Sequence, residues 1–342
     1  MSKHPVQAAR STLGRTLIIV NPAAQSGAAA EIGERLQRFL KLYLHDQGAF
    51  DLVQTERPRQ AIALASRAAG YDTVLAVGGD GIAHEVAGGL MHIRPSARPA
   101  LGIVPVGSGN DYARTLGMPE VSRDDDMAAL LDCERTPIDI GRLECTGTSG
   151  ATVTEHFVQT FSYGMDAAIA LGTFGLRKQT GLAGDPLYLL SGMKALGRGY
   201  RDFPAMVSID GAPAERMRTV TFAVQIGPTY GSGFKICPKA DPADGLLDIC
   251  YVSGPMPRSR ALPLLLSAKF GRHTHAAHTH ILRARSVTVS FEEAEPYPAQ
   301  ADGERVEASR IAIGILPGAL TVLKPRAKAK QAKADADTPE QK

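Results

Sequence analysis

Cysteine is scarce in this 342-residue chain: Cys133, Cys145, Cys237 and Cys250 are all it has, and no CxxC spacing joins any two. No thiol motif asks for an oxidising compartment, so a reducing cytosol is expected. Long apolar runs are missing as well. A spanning helix needs roughly 18 consecutive apolar residues, and even "ALPLLLSAKF" soon ends in charge, so any membrane contact is expected to be peripheral. The opening residues "MSKHPVQAARSTLGRT" lack the apolar core of a signal peptide. Charge of one sign is not in excess either: 38 Lys and Arg against 35 Asp and Glu leave +3, too little bulk field to argue for nucleic acid. Two standard nucleotide loops are also absent. No GxxxxGK followed by Ser or Thr occurs, and the GxG pairs lack the third glycine and the first-strand position of a dinucleotide fingerprint.

What is there supports a buried core, with 44% hydrophobic and 21% charged residues, and the length suggests two domains. Strand and helix signals alternate first: "RTLIIV" then "AAAEIGERLQRFLKLYL", "FDLVQT" then "RQAIALASRAA", "TVLAV" then "IAHEVAGGL", "ALGIVPV" then "NDYARTLG". A βα repeat of this kind makes a parallel sheet covered by helices. After "RTPIDIGRL" the pattern turns to β-branched extended runs such as "MRTVTFAVQIG" and "ARSVTVSF", the mark of a mostly antiparallel sheet. The fold class is thus α/β, an N-terminal parallel-sheet domain followed by a β-rich second one. The expected division is a flexible N-terminus over 1–15, the α/β domain over 16–136, the β-rich domain over 137–308, short strands over 309–324 returning to the first domain, and a disordered tail over 325–342.

Four loops follow strands of the first domain: "NPAAQSG" from Asn21, "TERPR" from Thr55, "GGDG" from Gly78 and "PVGSGND" from Pro105. Loops at the carboxyl ends of parallel strands gather on one edge, where ligands bind. Gly78, Gly79 and Gly81 remove side chains where a phosphate must approach the backbone, and the helix starting near Ile82 offers free N–H groups. Asp80 fits a bare anion poorly; it fits one that arrives with a divalent cation or beside a substrate proton. Taken alone, such glycines are also ordinary turns, and Asp is a common turn residue.

The series "NPAAQSG", "VGGDGIAHEV", "VPVGSGNDYAR", "IDIGRL", "ADPADGLLD" and "ADGE" resembles, in order and across nearly the whole chain, the diacylglycerol kinase catalytic-domain superfamily. That superfamily includes bacterial diacylglycerol kinases, sphingosine kinases and ceramide kinases, and more distantly resembles NAD kinases. The resemblance implies ATP in the cleft between the domains and a requirement for magnesium. By position, Asn21, Pro22, Ala23, Ala24, Gln25, Thr55, Gly78, Gly79, Asp80, Gly81, Ile82, Ala83, His84 and Ser108 match its ATP-binding positions. Asp241, Asp244 and the carbonyl of Leu246 match its second-domain Mg²⁺ site, where oxygen ligands suit the ion and Gly245 allows the tight turn. Glu304 matches the general base; Asp80, to which sphingosine kinases assign that role, comes second. Asp139 matches a carboxylate of the active-site acid network, with Asp302, Glu85, Asn110 and Asp111 as supporting residues. This chain departs from the pattern at Ile82, where threonine is common, at His84, where asparagine is frequent, and in "QIGPTYGSGF", which lacks the usual opening Asn-Gly. Read without the resemblance, "DPADG" is a plain turn and "ADGE" a hairpin turn.

Two further stretches stand out. In "DPLYLLSGMKALGRGYRDF", Asp185 can cap a helix with Pro186 in its first turn. Leu189, Met193, Leu196 and Tyr200 then share one face, and Lys194, Arg198 and Arg201 another, which suits either an anionic membrane surface or a core-packed helix with a solvated basic face. His273, His275, His278 and His280 match no zinc spacing, and a surface turn is expected. The implied function is an ATP- and Mg²⁺-dependent lipid kinase acting on a primary hydroxyl, diacylglycerol before ceramide or a sphingoid base. It would be cytoplasmic, peripheral at the inner face of the membrane, bind no nucleic acid and be compatible with a homodimer. An NAD-kinase-like activity and a non-catalytic sensor are the alternatives.

Overall fold

The computed structural model describes residues 13–44, 49–121, 124–292 and 297–326. The expected tail from residue 327 and the expected N-terminal extension up to residue 12 lie outside them. Aliphatic runs bounded by polar turns make the first strands, β1 (Thr16–Val20), β2 (Phe50–Gln54), β3 (Thr73–Gly78) and β4 (Ala100–Pro105). Every residue of β1, β3 and β4 is buried, as parallel strands covered on both faces must be. Helix α1 (Ala28–Tyr43) buries Ile32, Leu36, Phe39 and Leu40 at helical spacing. α2 (Gln60–Ala65), α3 (Asp80–Met91), α4 (Asp111–Leu116) and the single turn α5 (Asp124–Met127) complete this layer. β1 pairs in parallel with β2 and β3, and β3 with β4.

The second domain opens with β5 (Cys133–Thr146), β6 (Thr152–Phe157) and β7 (Thr160–Gly164), then helices α6 (Met165–Thr180) and α7 (Gly184–Arg198). β8 (Phe203–Ile209), β9 (Glu215–Gln225), β10 (Leu247–Ser253), α8 (Arg258–Ala268), β11 (Thr279–Ala284), β12 (Ser286–Phe291), β13 (Ala299–Ala301) and β14 (Glu304–Arg305) follow. All their pairings are antiparallel. Inside the curled sheet lie Phe157, Phe161, Tyr163, Phe222 and Tyr297, with Tyr163 stacked on Phe222 at 5.1 Å between centroids. On the other face of β9 and β10, helices α6, α7 and α8 bury Met165, Ile169, Leu196 and Met256.

The last strand differs from the sequence expectation. Instead of two short strands there is one, β15 (Arg310–Pro325), irregular between Leu316 and Leu320. It runs antiparallel to β5 from Arg310↔Thr146 to Pro325↔Cys133, to β12 through its first half, and parallel to β4 at Val322↔Leu101. One sheet therefore passes through both domains. Two local readings are corrected as well. α7 begins at Gly184, so Asp185 lies within its first turn and makes no cap; its carboxylate pairs with Lys269 at 2.6 Å. His273 is buried rather than on a surface turn, its Nε2 lying 3.1 Å from the carbonyl of Ile236, while His275, His278 and His280 are exposed.

Candidate active site

The four loops meet at the carboxyl edge of the parallel sheet. Two of them pack backbone to backbone: a Cβ on Gly107 would lie 2.4 Å from Cα of Gly79, and one on Gly79 would lie 3.2 Å from Cα of Gly107. Gly109 is closed off in the same way, 2.7 Å from Oδ2 of Asp80. Gly81 has open space where a side chain would stand. These glycines thus do two jobs. Gly79, Gly107 and Gly109 let the loops touch, and Gly81 leaves the N-terminus of α3 bare, where the first N–H groups of a helix lack intrahelical partners.

Asp80 accepts the Tyr112 N–H at 3.0 Å and so starts α4. Burial raises its proton affinity; the N–H groups of Tyr112 and Asp111 pull it down, the charge of Asp302 pushes it up, and the net shift is upward. Asp111 spans the cleft, accepting from Ser232 N at 2.7 Å, Gly233 N at 2.8 Å and Arg114 at 2.7 Å. Burial, then the charge of Asp80, push its carboxyl up to about 6. Asn110, with φ +53°, closes its own loop by accepting from Gly107 N and donating to Gly107 O. Glu85 accepts the N–H groups of Arg59 and Ala61 and so caps α2. Ser108 accepts from Arg177 of α6 at 3.1 Å.

The remaining nucleotide candidates divide by orientation. Asn21, Pro22, Ala23, Ala24 and Gln25 form a turn in which the Asn21 side chain accepts the Ala23 N–H, and Gln25 reaches the carbonyl of Gly107 at 3.1 Å. Thr55 is half-buried at the end of β2. Ile82, Ala83 and His84 turn their side chains inward and are buried, because they occupy the core side of α3; they can offer a ligand only backbone.

From the second domain comes the turn between β13 and β14. Ala301 pairs with Glu304, and both intervening residues have positive φ, Asp302 at +47° and Gly303 at +93°, the geometry of a two-residue hairpin turn. Asp302 is saturated: its carboxylate accepts the N–H groups of Val158, Gln159 and Thr160 at 2.7–3.0 Å and faces Nδ1 of His84 at 2.9 Å. The Glu304 side chain is half-buried and makes no hydrogen bond or ion pair among the described residues. Of the two acids, Asp302 is the one whose side chain is committed to hydrogen bonds among the described residues.

The expected metal residues are arranged otherwise. Asp241 and Asp244 accept N–H groups of their own loop, from Ala243 and Leu246. Asp244 is also ion-paired with Arg283, which reaches Asp248 at 3.3 Å. Asp139 belongs here and not to the cleft, because its two oxygens accept the N–H groups of Gly245 and Gly318. Asp241, Asp244 and the carbonyl of Leu246 do not fit an Mg²⁺ site in this arrangement, since a guanidinium already neutralises the carboxylate the ion would need.

The cleft is lined by Asp80, Asp111, Tyr112, Gln300, Asp302 and Gly303, and it shares Ala170, Tyr188, Tyr230 and Gly231 with a second, apolar cavity of about 120 Å³ under α6, α7 and α8. Sequence reasoning missed Asp166, which lines this cavity. Its Oδ2 accepts the Tyr230 hydroxyl, its Oδ1 is buried without a partner among the described residues, and burial pushes its carboxyl up. Its place after "FSYGM", a lone acid among small and apolar residues, is the one signal the sequence carries.

Comparison with known proteins matches residues 15–143 to the family described as "Diacylglycerol kinase catalytic domain" and residues 159–324 to the "YegS C-terminal NAD kinase beta sandwich-like domain". A Pseudomonas aeruginosa protein named "Probable lipid kinase YegS-like" is 32% identical over 260 residues, 75% of this chain and 77% of its own. A Mycobacterium tuberculosis "Diacylglycerol kinase" is 28% identical over 326 residues, 94% of this chain and 98% of its own. A crystal structure titled as a diacylglycerol kinase from Bacillus anthracis shares the fold, with a TM-score of 0.72 at 21% identity over 93% of this chain and 100% of that one.

Proposed function

Because this chain belongs to the lipid kinase family built on the diacylglycerol kinase catalytic domain, we propose that it transfers the γ-phosphoryl group of MgATP to a primary hydroxyl of a membrane lipid, with diacylglycerol the favoured acceptor. One observation carries the acceptor class: the apolar cavity opens into the polar cleft, sharing four of its lining residues. An acyl chain in the cavity leaves its polar end beside Asp166 and its hydroxyl between Gly303 and Asp80. The nucleotide lies on the carboxyl edge of the sheet, with its phosphates over Gly81 and the N–H groups that open α3.

Transfer of a phosphoryl group needs alignment and charge neutralisation more than covalent help. Glu304 takes the proton of the acceptor hydroxyl as its oxygen attacks the γ-phosphorus in line with the departing ADP oxygen. Asp80, half-buried and held by Tyr112, keeps its carboxylate at the phosphate side of the same cleft and is the second choice for the base. On the helical layer that covers the cavity, Met193 at 52% exposure, Leu266 at 48% and Phe270 at 70% stand out beside exposed Lys178, Lys194 and Arg260. That composition suits docking on an anionic lipid surface.

The test is transfer of labelled γ-phosphate from MgATP to diacylglycerol, ceramide and sphingosine in mixed micelles, with NAD in detergent-free buffer alongside. Labelled diacylglycerol that is lost in Glu304→Gln, with ATP still bound, is the expected result, and removal of a general base should cost about 10²- to 10⁴-fold in kcat. Labelled NAD alone would replace the lipid reading with a soluble-nucleotide kinase. Bound ATP with no labelled product would favour a sensor.

A further inference from the structure

His84 stands where the family resemblance leads one to expect asparagine, and its partner lies 218 residues away in sequence. The imidazole leaves the buried side of α3 and meets the carboxylate of Asp302 at 2.9 Å, with 7% and 2% of the two side chains exposed. Asp302 takes its other donors, Val158, Gln159 and Thr160, from a single loop of its own domain. Among the described residues, His84 is the one donor that reaches it from the nucleotide domain. Two residues beyond Asp302 is Glu304.

We propose that His84 is a positioning residue for phosphoryl transfer: its ion pair with Asp302 ties the helix that begins at the phosphate loop to the turn that carries the base. The proposal rests on the reading of Glu304 as that base. The geometry gives it force. The β13–β14 turn is short, both of its central residues are held at positive φ, and a shift of its Asp302 end moves Glu304 with it. A buried pair of this kind is worth little as net stability but fixes one arrangement against others. Without it, the turn that carries Glu304 would have no side-chain tie to α3 among the described residues.

The charged and titratable groups around His84 are few. On its own helix they are Asp80, which turns to α4, and Glu85, which caps α2. From the β13–β14 turn they are Asp302 and Glu304, and from β6 they are Glu155 and His156. Burial works to strip the proton from His84, but the hydrogen bond and charge of Asp302, then the charges of Glu304 and Glu155, outweigh it and leave the imidazolium favoured above its usual range. His156 goes the other way, pushed down to about 4 by burial and by the positive groups near it, so Glu155 is the charge that β6 brings to His84 at neutral pH. The positive form of His84 is present below its raised pKa and lost as pH rises through it.

The experiment compares wild type, His84→Asn, His84→Gln and Glu304→Gln. It reads kcat and the KM for MgATP by γ-phosphate transfer from pH 6 to 9.5, with the melting temperature of each variant. Asparagine is the residue frequent at this position in the family, and glutamine keeps an N–H donor of greater reach, so at least one variant should fold. Both should keep the KM for MgATP within about twofold and lose about 10- to 100-fold in kcat, the cost of misplacing a reacting group by about an ångström. The deficit should shrink as pH rises, because wild type then loses the charge that the variants never had. Turnover equal to wild type at every pH, or a loss that is constant with pH and matched by a fall in melting temperature, would overturn the inference. Turnover that survives in Glu304→Gln would bring down the base assignment, and this inference with it. Loss in Glu304→Gln beside an unchanged His84→Asn would bring down this inference alone.

Discussion

At the scale of single residues, glycines that look alike in the sequence have opposite requirements. Gly107→Ala would press a methyl group against the Gly79 backbone, an overpacking that should cost about 1–3 kcal/mol and loosen ATP binding; calorimetry and nucleotide titration would read both. Gly81→Ala meets nothing within 4 Å, so the fold should tolerate it while the KM for MgATP rises, and an unchanged KM would remove the phosphates from that spot. The carboxyl of Asp111 makes a pH prediction. Its folded pKa is pushed up to about 6 by burial and by Asp80, whereas an unfolded aspartate titrates near ~3.9. The folded state thus holds its proton over more of the acid range, and the stability at stake falls as pH rises from about 4 to about 6. The difference between the melting curves of wild type and Asp111→Asn should carry that slope; a difference flat with pH would mean that Asp111 is not coupled to folding. Much of this was legible in advance. "GGDG" and "GSGND" marked the edge where Asp80 and Asp111 line the cleft, with Asp302 and Gly303 of the "ADGE" turn lining it from the other domain. The jobs of Glu85, Asn110 and Asp139 were not legible, because each is defined by backbone N–H groups that only the folded chain brings near.

Among the elements, the βα repeat was readable because its buried strands are apolar throughout and its helices keep an apolar stripe. α7 was readable as a helix but not as to its surroundings. Its periodicity put Leu189, Met193, Leu196 and Tyr200 on one face, yet Met193 is half-exposed while Leu196 is buried against α6 and β9, a division made by neighbours far apart in sequence. The exposed rim of α7 and α8 makes a prediction of its own. Met193→Ser combined with Phe270→Ser should lower sedimentation with vesicles containing anionic lipid severalfold, while leaving turnover on a dispersed short-chain acceptor close to wild type. Equal sedimentation of the variant would move the docking face elsewhere. His273 shows the reverse error: a histidine-rich stretch reads as surface, but the turn after α8 folds that one ring inward beside Cys250, with Nε2 3.7 Å from its sulfur.

For the molecule as a whole, the boundary visible in the sequence is a boundary of topology more than of stability. β15 pairs with β4 in one domain and with β12 in the other, and β5 follows it along nearly its full length. Urea should accordingly unfold the chain in one transition followed alike by far-ultraviolet circular dichroism and by hydrogen exchange in β3 and β9; two separated transitions would show that the shared strand does not couple the halves. The same strand bears on how the protein is made. A ribosome releases β4 more than two hundred residues before it releases β15, so throughout most of synthesis the nucleotide domain has an unpaired sheet edge and an uncovered Leu101. Domains that emerge first usually fold first, but this one must wait for nearly the last of its sequence. Its exposure to misassembly and to chaperones is therefore set by the far end of the chain, and a slow codon run just ahead of β15 would lengthen the vulnerable interval more than one placed anywhere inside the first domain.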